Sequence, residues 1–219
     1  MTLPIVEIFK SIEGEGSRSG RICTFIRLAG CNLRCSYCDT QYSFNVNDAK
    51  KMTVEDIIAE VQALDCYTIT ITGGEPLLYR EVNEDLVPRL LDLGYRINIE
   101  TNGSLLIKDV KRKPYDSLMF TIDWKCPSSG MNNKMLTTNL DQANHNDVIK
   151  FVVGCYEDLM EMKRVIHNYN TRAQYYVSPV FGQIELEDIV EFLKDNHLHN
   201  VTMQLQIHKI IWDVNKRGV

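Results

Sequence analysis

Seven short runs rich in β-branched and aromatic residues punctuate the chain, at 22–28, 67–72, 96–101, 118–123, 148–153, 174–178 and 201–207. Helical patterns lie between several of them. The clearest opens at Thr53, a residue suited to cap a helix N-terminus, and sets Ile57, Ile58, Val61 and Leu64 on one apolar face. A second follows Asn83, admits Pro88 only in its first turn, and stops before Gly94. Two more cover 156–169 and 185–196, while 108–115 and 131–146 show weaker helical periodicity. Strands alternating with helices imply parallel pairing with crossover connections. The expected class is therefore α/β, as an open sheet or a barrel, with some crossover helices shortened or irregular. In either form the chemistry belongs at the carboxyl ends of the strands.

No repeat, low-complexity tract or flexible linker divides the 219 residues, so one domain spanning 1–219 is expected. Hydrophobic residues make up 44% of the chain and charged residues 24%, and no stretch reaches the ~18 uninterrupted apolar residues of a membrane span. The start, Met1 to Glu7, lacks the basic and apolar regions of a signal peptide, which implies a cytoplasmic protein. A net charge of −5 argues against a nucleic-acid surface and for a small-molecule ligand. The seven cysteines, in a reducing compartment, should be thiols or metal ligands rather than a disulfide framework.

Three of those cysteines are packed into one run, Cys31-Asn-Leu-Arg-Cys35-Ser-Tyr-Cys38, directly after the first strand run and the turn Ala29-Gly30. Three thiolates on a short loop can bind three corners of an iron–sulfur cube. No fourth cysteine is near, so one iron would keep an open position, which is where a metal does chemistry. Two alternatives stand beside this. A zinc site wants four ligands, but Cys66, Cys126 and Cys155 stand alone, and His197 and His199 are separated by one residue. A closed electron-transfer cluster would need a distant cysteine as its fourth ligand.

The C-x₃-C-x₂-C spacing, the turn Gly73-Gly74-Glu75-Pro76 after the second run, and Glu100-Thr101-Asn102-Gly103 after the third together resemble the radical S-adenosylmethionine (SAM) superfamily. The resemblance implies a partial, open parallel β/α barrel. It also implies a 4Fe–4S cluster whose open iron is chelated by SAM, and reductive cleavage of SAM to methionine and a 5′-deoxyadenosyl radical. Gly73 and Gly74 would let the backbone approach a ligand where a Cβ would intrude. Glu75 would accept from the ammonium of the methionine moiety. Tyr37 resembles an aromatic residue that packs near adenine, and plain loop packing accounts for it equally well.

Three further features are similar to the 7-carboxy-7-deazaguanine synthases. They are Ile8-Phe-Lys-Ser-Ile-Glu-Gly-Glu-Gly16 with Phe25-Ile-Arg-Leu28, then Cys38-Asp39-Thr40, and the end segment Trp212 to Val219. This resemblance spans nearly the whole chain. It implies a carbon–nitrogen lyase of queuosine-type 7-deazapurine biosynthesis that contracts the ring of 6-carboxy-5,6,7,8-tetrahydropterin, with Mg²⁺, to 7-carboxy-7-deazaguanine and ammonia. Substrate contacts would fall on Ile12, Glu13, Gly14, Glu15, Arg27, Thr72 and the Val219 carboxylate. A pterin edge presents N–H donors that suit carboxylates. Arg27 lies on the same side of its strand as Phe25, either inside a barrel or toward solvent.

SAM contacts would fall on Gly74, Asp123, Lys125 and Ser178, and a Mg²⁺ contact on Thr40, a neutral oxygen acceptable to a hard cation. The chain departs from the family pattern where Asp123-Trp124-Lys125 replaces Ser-Pro-Lys and where Glu13 stands for a common Gln. The resemblance also implies a homodimer and a flavodoxin-type electron donor. His145 and His208, and Cys23, Cys66, Cys126 and Cys155, carry no assigned role. The rival readings are a glycyl-radical activase, which would need a broad docking surface, and a non-enzymatic iron–sulfur or zinc protein.

Overall fold

The computed structural model describes residues 1–107, 110, 117–214 and 216–219. Its strands are β1 (Thr2–Ile12), β2 (Ile22–Leu28), β3 (Lys50–Thr53), β4 (Thr68–Gly73), β5 (Arg96–Thr101), β6 (Leu118–Lys125), β7 (Val148–Val153), β8 (Gln174–Pro179) and β9 (Val201–Met203). Among the described residues they form one sheet in the order β3-β1-β2-β4-β5-β6-β7-β8-β9. Every pairing from β2 to β9 is parallel, and the two ends of the sheet do not meet, so the expected open parallel β/α barrel is the fold.

Two strands went unread in the sequence, β1 and β3. β1 pairs antiparallel with β2, and β3 pairs antiparallel with β1 at the edge of the sheet. Pro4 obscures β1, since a residue with no N–H argues against a strand with neighbours on both sides. It is accommodated beside a break in the β1–β2 register between Ile5 and Glu7. At the other edge β9 pairs only over Val201–Met203, shorter than the run to residue 207. Beyond it the Gln204 and Gln206 side chains reach the β1–β2 connection, Gln204 Oε1 accepting from Gly16 N–H at 2.7 Å and Gln206 Nε2 donating to Glu15 Oε2 at 3.2 Å.

The helices are α1 (Val54–Ala63), α2 (Val87–Asp92), α3 (Thr138–Gln142), α4 (Tyr156–Asn168), α5 (Leu186–Asp195) and α6 (His208–Ile211). Thr53 caps α1 as expected: its Oγ1 accepts from Asp56 N–H at 3.1 Å while the Asp56 carboxylate takes the Thr53 N–H, a reciprocal box that stabilises by about 1 kcal/mol. Val54, Ile57, Ile58 and Val61 of α1 are buried against the sheet. Pro88 does sit in the first turn of α2, but the chain enters that turn through a π turn, Val82–Leu86. The wider turn relieves the clash between a proline ring and the carbonyl four residues back. The β6-to-β7 crossover is short 3₁₀ turns plus α3, which is the irregularity expected at 131–146. The weak periodicity at 108–115 lies outside the described residues, position 110 apart.

Alternation along the strands divides the sheet into two chemically opposite faces. Ile69, Ile71, Ile97, Ile99, Phe120, Ile122, Ile149 and Phe151 are fully or almost fully buried in the core shared with the helices. Thr70, Thr72, Asn98, Glu100, Thr121, Asp123 and Lys150 occupy the alternate positions. Register brings Thr70 beside Asn98, Glu100 beside Thr121 and Asp123 beside Lys150. A polar row thus crosses the inner face.

The loop that follows β2 is held by backbone contact with the turn after β4. Gly74 N–H donates to the Leu28 carbonyl at 2.9 Å and Glu75 N–H to the Gly30 carbonyl at 2.8 Å. A Cβ on Gly73 would overlap the Leu28 backbone, and one on Gly74 the Gly30 carbonyl; Gly73 also has φ +125°. The two glycines therefore admit a neighbouring stretch of the protein's own chain, and both also line the cavity at this end of the sheet. Gly74→Ala should force those backbones apart at a cost of about 3 kcal/mol or more, read as a lower urea midpoint, and should loosen the cysteine loop. An unchanged midpoint would show that the interlock is dispensable.

Candidate active site

A cavity of about 860 Å³ opens at the carboxyl ends of the strands. The cysteine loop forms one wall: Cys31, Cys35 and Cys38 line it, together with Tyr37 and Thr40. Cys23, Cys66, Cys126 and Cys155 are not among its lining residues. The loop has no regular structure and is tied from several sides. Gly30 N–H donates to Ser43 O at 2.7 Å, and Ser36 Oγ to Ser128 O at 2.6 Å. The Arg34 guanidinium donates to the carbonyls of Cys31 and Leu33, both at 2.7 Å, and lies 4.3 Å from the Phe44 ring centroid. Tyr37 donates to the Val152 carbonyl at 3.4 Å.

The donor set fits a 4Fe–4S cube: three free thiols from one short loop, all facing one cavity, with no fourth cysteine in its wall. Among the described residues no three Cys, His, Asp or Glu side chains converge closely enough to hold a single metal ion, the convergence a zinc site needs.

The expected substrate residues Ile12, Glu13, Gly14, Glu15, Arg27, Thr72 and Val219 all line the cavity. Arg27 therefore faces the barrel interior, with Nε on Glu7 Oε1 at 2.8 Å. The same Glu7 oxygen accepts from Tyr42 OH at 3.3 Å, and the Arg217 guanidinium sits 3.9 Å from the Tyr42 ring centroid. Arg217, Gly218 and Val219 of the end segment line the same cavity. Thr72 donates to Glu100 Oε2 at 2.6 Å, which leaves its oxygen able to accept.

Of the expected SAM residues, Gly74, Asp123 and Lys125 line the cavity, whereas Glu75 and Ser178 do not. Glu75 is fully buried. Its carboxylate accepts from Leu77 N–H at 3.0 Å, Thr101 Oγ1 at 2.8 Å and Asn102 N–H at 2.7 Å, and burial pushes its pKa up to about 7. Its bonds tie the β4 turn to the end of β5, a bracing position behind the cavity wall. Ser178 also lies behind the wall, donating to Glu15 Oε1 at 3.1 Å. Trp124 points the opposite way from its neighbours and donates to Glu161 on α4 at 3.2 Å; the period of two sends Asp123 and Lys125 inward instead.

The sequence reading missed the group that joins these parts, Lys150 of β7. Its ammonium is buried and lies 3.1 Å from Glu15 Oε2 and 3.0 Å from Asp123 Oδ1; Asp123 Oδ2 is 2.9 Å from Lys125. A buried cation among carboxylates binds the β1–β2 connection to the end of β6. Gln206 adds a bond to Glu15 at 3.2 Å. Glu100 and His208 line the cavity too, the latter so close to Gly14 that a Cβ there would overlap its ring. The available signal was the polar alternation inside otherwise apolar strands.

Glu13 is 3% exposed and accepts from Thr70 Oγ1 at 2.5 Å. Burial first, then the charge of Glu100, pushes its pKa from 4.5 up to about 8, and burial pushes Glu100 up as well. Between those two values the unfolded chain releases a proton that the folded chain keeps, so the ligand-free protein should lose stability as pH rises from about 5 to about 8. Glu13→Gln should remove part of that decline, measured as thermal midpoints across the window. A variant whose decline matches that of the parent would contradict the assignment.

The superfamily model described as radical SAM matches residues 25–123. The 7-carboxy-7-deazaguanine synthase of Clostridium acetobutylicum is 46% identical, with 100% of both chains covered, and that of Methanospirillum hungatei JF-1 is 39% identical over 95% of this chain and 85% of its own. The crystal structure of QueE from Escherichia coli superposes with a TM-score of 0.75 at 23% identity, over 94% of each chain, and shares the fold. With a C-x₃-C-x₂-C loop, an open parallel barrel and full-length likeness to these relatives, the chain belongs to the 7-carboxy-7-deazaguanine synthase family of the radical SAM superfamily.

Proposed function

We propose that the chain acts as one domain, a carbon–nitrogen lyase that contracts 6-carboxy-5,6,7,8-tetrahydropterin to 7-carboxy-7-deazaguanine with loss of ammonia. The observation that carries this reading is a single cavity holding three free thiols at one side and a carboxylate-rich segment, Glu13 to Glu15, at the other. When bound, the cluster and SAM supply a radical able to take a hydrogen atom from C6 of the substrate. Cys31, Cys35 and Cys38 would hold the cluster. The Gly74 backbone, Asp123 and Lys125 would hold SAM, with Tyr37 packed against its adenine.

The protein's own residues then orient the substrate. Glu13 and Glu15 accept from the pterin N–H edge, Thr72 bonds it from β4, and Arg27 offers its guanidinium to the carboxylate. The hydroxyl of Thr40 would help hold Mg²⁺ against that carboxylate, water and substrate supplying the other ligands. Arg217 on Tyr42 positions the end segment over the bound molecule and screens it from solvent. A neutral Glu13 accepts through its carbonyl oxygen alone, and releasing its proton frees the second oxygen for substrate donors, so substrate should bind more tightly as pH rises toward 8. A homodimer, reduction by a flavodoxin-type donor and a cytoplasmic location complete the reading. Among the described residues no helix is long and apolar enough to cross a membrane.

The test is an anaerobic assay of the reconstituted, reduced protein with SAM, Mg²⁺ and 6-carboxytetrahydropterin, products read by mass spectrometry. 7-Carboxy-7-deazaguanine should appear only when SAM and substrate are both present. Formation of 5′-deoxyadenosine without it would refute the substrate. Replacing Cys31, Cys35 or Cys38 by Ala should abolish iron binding and activity, whereas Cys66→Ala and Cys155→Ala should keep about four irons per chain; an active Cys35→Ala protein would overturn the cluster assignment.

A further inference from the structure

Asn102, at the end of β5, is 7% exposed and presents its amide to the cysteine loop. Nδ2 donates to Asn32 Oδ1 at 3.0 Å and to Cys31 Sγ at 3.6 Å. The orientation of the amide is fixed by its other end. Oδ1 accepts from Ser104 N–H at 3.0 Å and from Ser104 Oγ at 2.7 Å, so the NH₂ group must face the loop. Asn32 Nδ2 in turn donates to Ser104 Oγ at 2.8 Å. Asn102, Ser104 and Asn32 thus close a ring in which each donor meets an acceptor, and one N–H of Asn102 remains for sulfur. The backbone N–H of Asn102 is held by the buried Glu75. The Cys31 sulfur also accepts from Leu33 N–H at 3.4 Å.

We propose that Asn102 is a positioning residue for the cluster, donating a preorganised N–H bond to the Cys31 thiolate and thereby raising the reduction potential. The proposal rests on the reading of Cys31 as a cluster ligand. Adding an electron increases negative charge on the cluster sulfurs, and an N–H donor stabilises the more negative state. The bond also treats the three ligands unequally, since it is made to Cys31 from β5, across the loop from Cys38, whose sulfur lies 3.7 Å from the Thr40 hydroxyl. Glu75 and Ser104 have no direct contact with the thiolate and act by aiming Asn102.

The measurement is the midpoint potential of the reconstituted, SAM-free protein, by redox titration monitored through the EPR signal of the reduced cluster, with iron per chain determined on the same samples. Asn102→Ala should keep about four irons per chain. Its reduced-to-oxidised ratio at a fixed poise should fall about tenfold, a shift of about 59 mV to more negative potential for one electron. Ser104→Ala keeps the backbone N–H bond to the Asn102 amide oxygen but removes both hydroxyl bonds of the ring, and should shift the potential in the same direction by less. If Asn102→Ala fails to hold the cluster, Ser104→Ala carries the comparison. Wild-type protein that assembles no cluster overturns the cluster reading and this proposal with it. A wild-type cluster whose potential is matched by both variants overturns this proposal alone.

Discussion

The backbone of Leu28 to Gly30 and the Gly73-Gly74 turn occupy space that two ordinary residues could not share, and the geometry of the site follows from that contact. It fixes where the cysteine loop leaves β2, and so where the three thiols stand relative to the strands that carry the rest of the cavity. Glu75, the next residue, extends the same bracing to β5 by taking the Asn102 N–H and the Thr101 hydroxyl. Three strands that are distant in sequence are thereby locked at their carboxyl ends before any ligand arrives. Preorganisation of this kind limits the reorganisation needed when charge or radical character develops.

Inside the barrel the usual amphipathic logic is reversed. The apolar face of β4 to β7 turns outward to the helices, and the inner face is polar and charged. Such a face is costly unless its charges are paired. Lys150 supplies the pairing, bridging Glu15 and Asp123, while Glu13 and Glu100 avoid the cost by holding their protons more tightly. The interior is thus balanced without substrate and rich in acceptors for a donor-rich ring. The buried carboxyl of Glu13 makes that balance depend on pH.

Much of this was legible in the sequence, for physical reasons. The runs at 22–28, 96–101 and 148–153 coincide with strands because their residues combine β-branched character with sharp turn boundaries. The cysteine spacing is local chemistry on one loop, so it survives reading without a structure. A second reason for Gly73 and Gly74 was hidden because a sequence does not show what lies across from a turn: backbone forty-odd residues earlier packs against them. The bracing bonds of Glu75 to Leu77, Thr101 and Asn102 were hidden for the same reason. Lys150 was invisible because its partners Glu15 and Asp123 come from the β1–β2 connection and from β6, and only the fold brings them together. β1 hid behind Pro4 and a glycine-rich end.

The central claim is that Cys31, Cys35 and Cys38 would hold a cluster in one preformed cavity that the inner polar face also lines. An anaerobic crystal structure of the reconstituted protein with SAM tests it most directly. The account predicts a 4Fe–4S cube on those three sulfurs, SAM on the fourth iron, and SAM in contact with Asp123 and Lys125. A cube completed by a fourth protein ligand, or a single metal ion held by the cysteines, would contradict it.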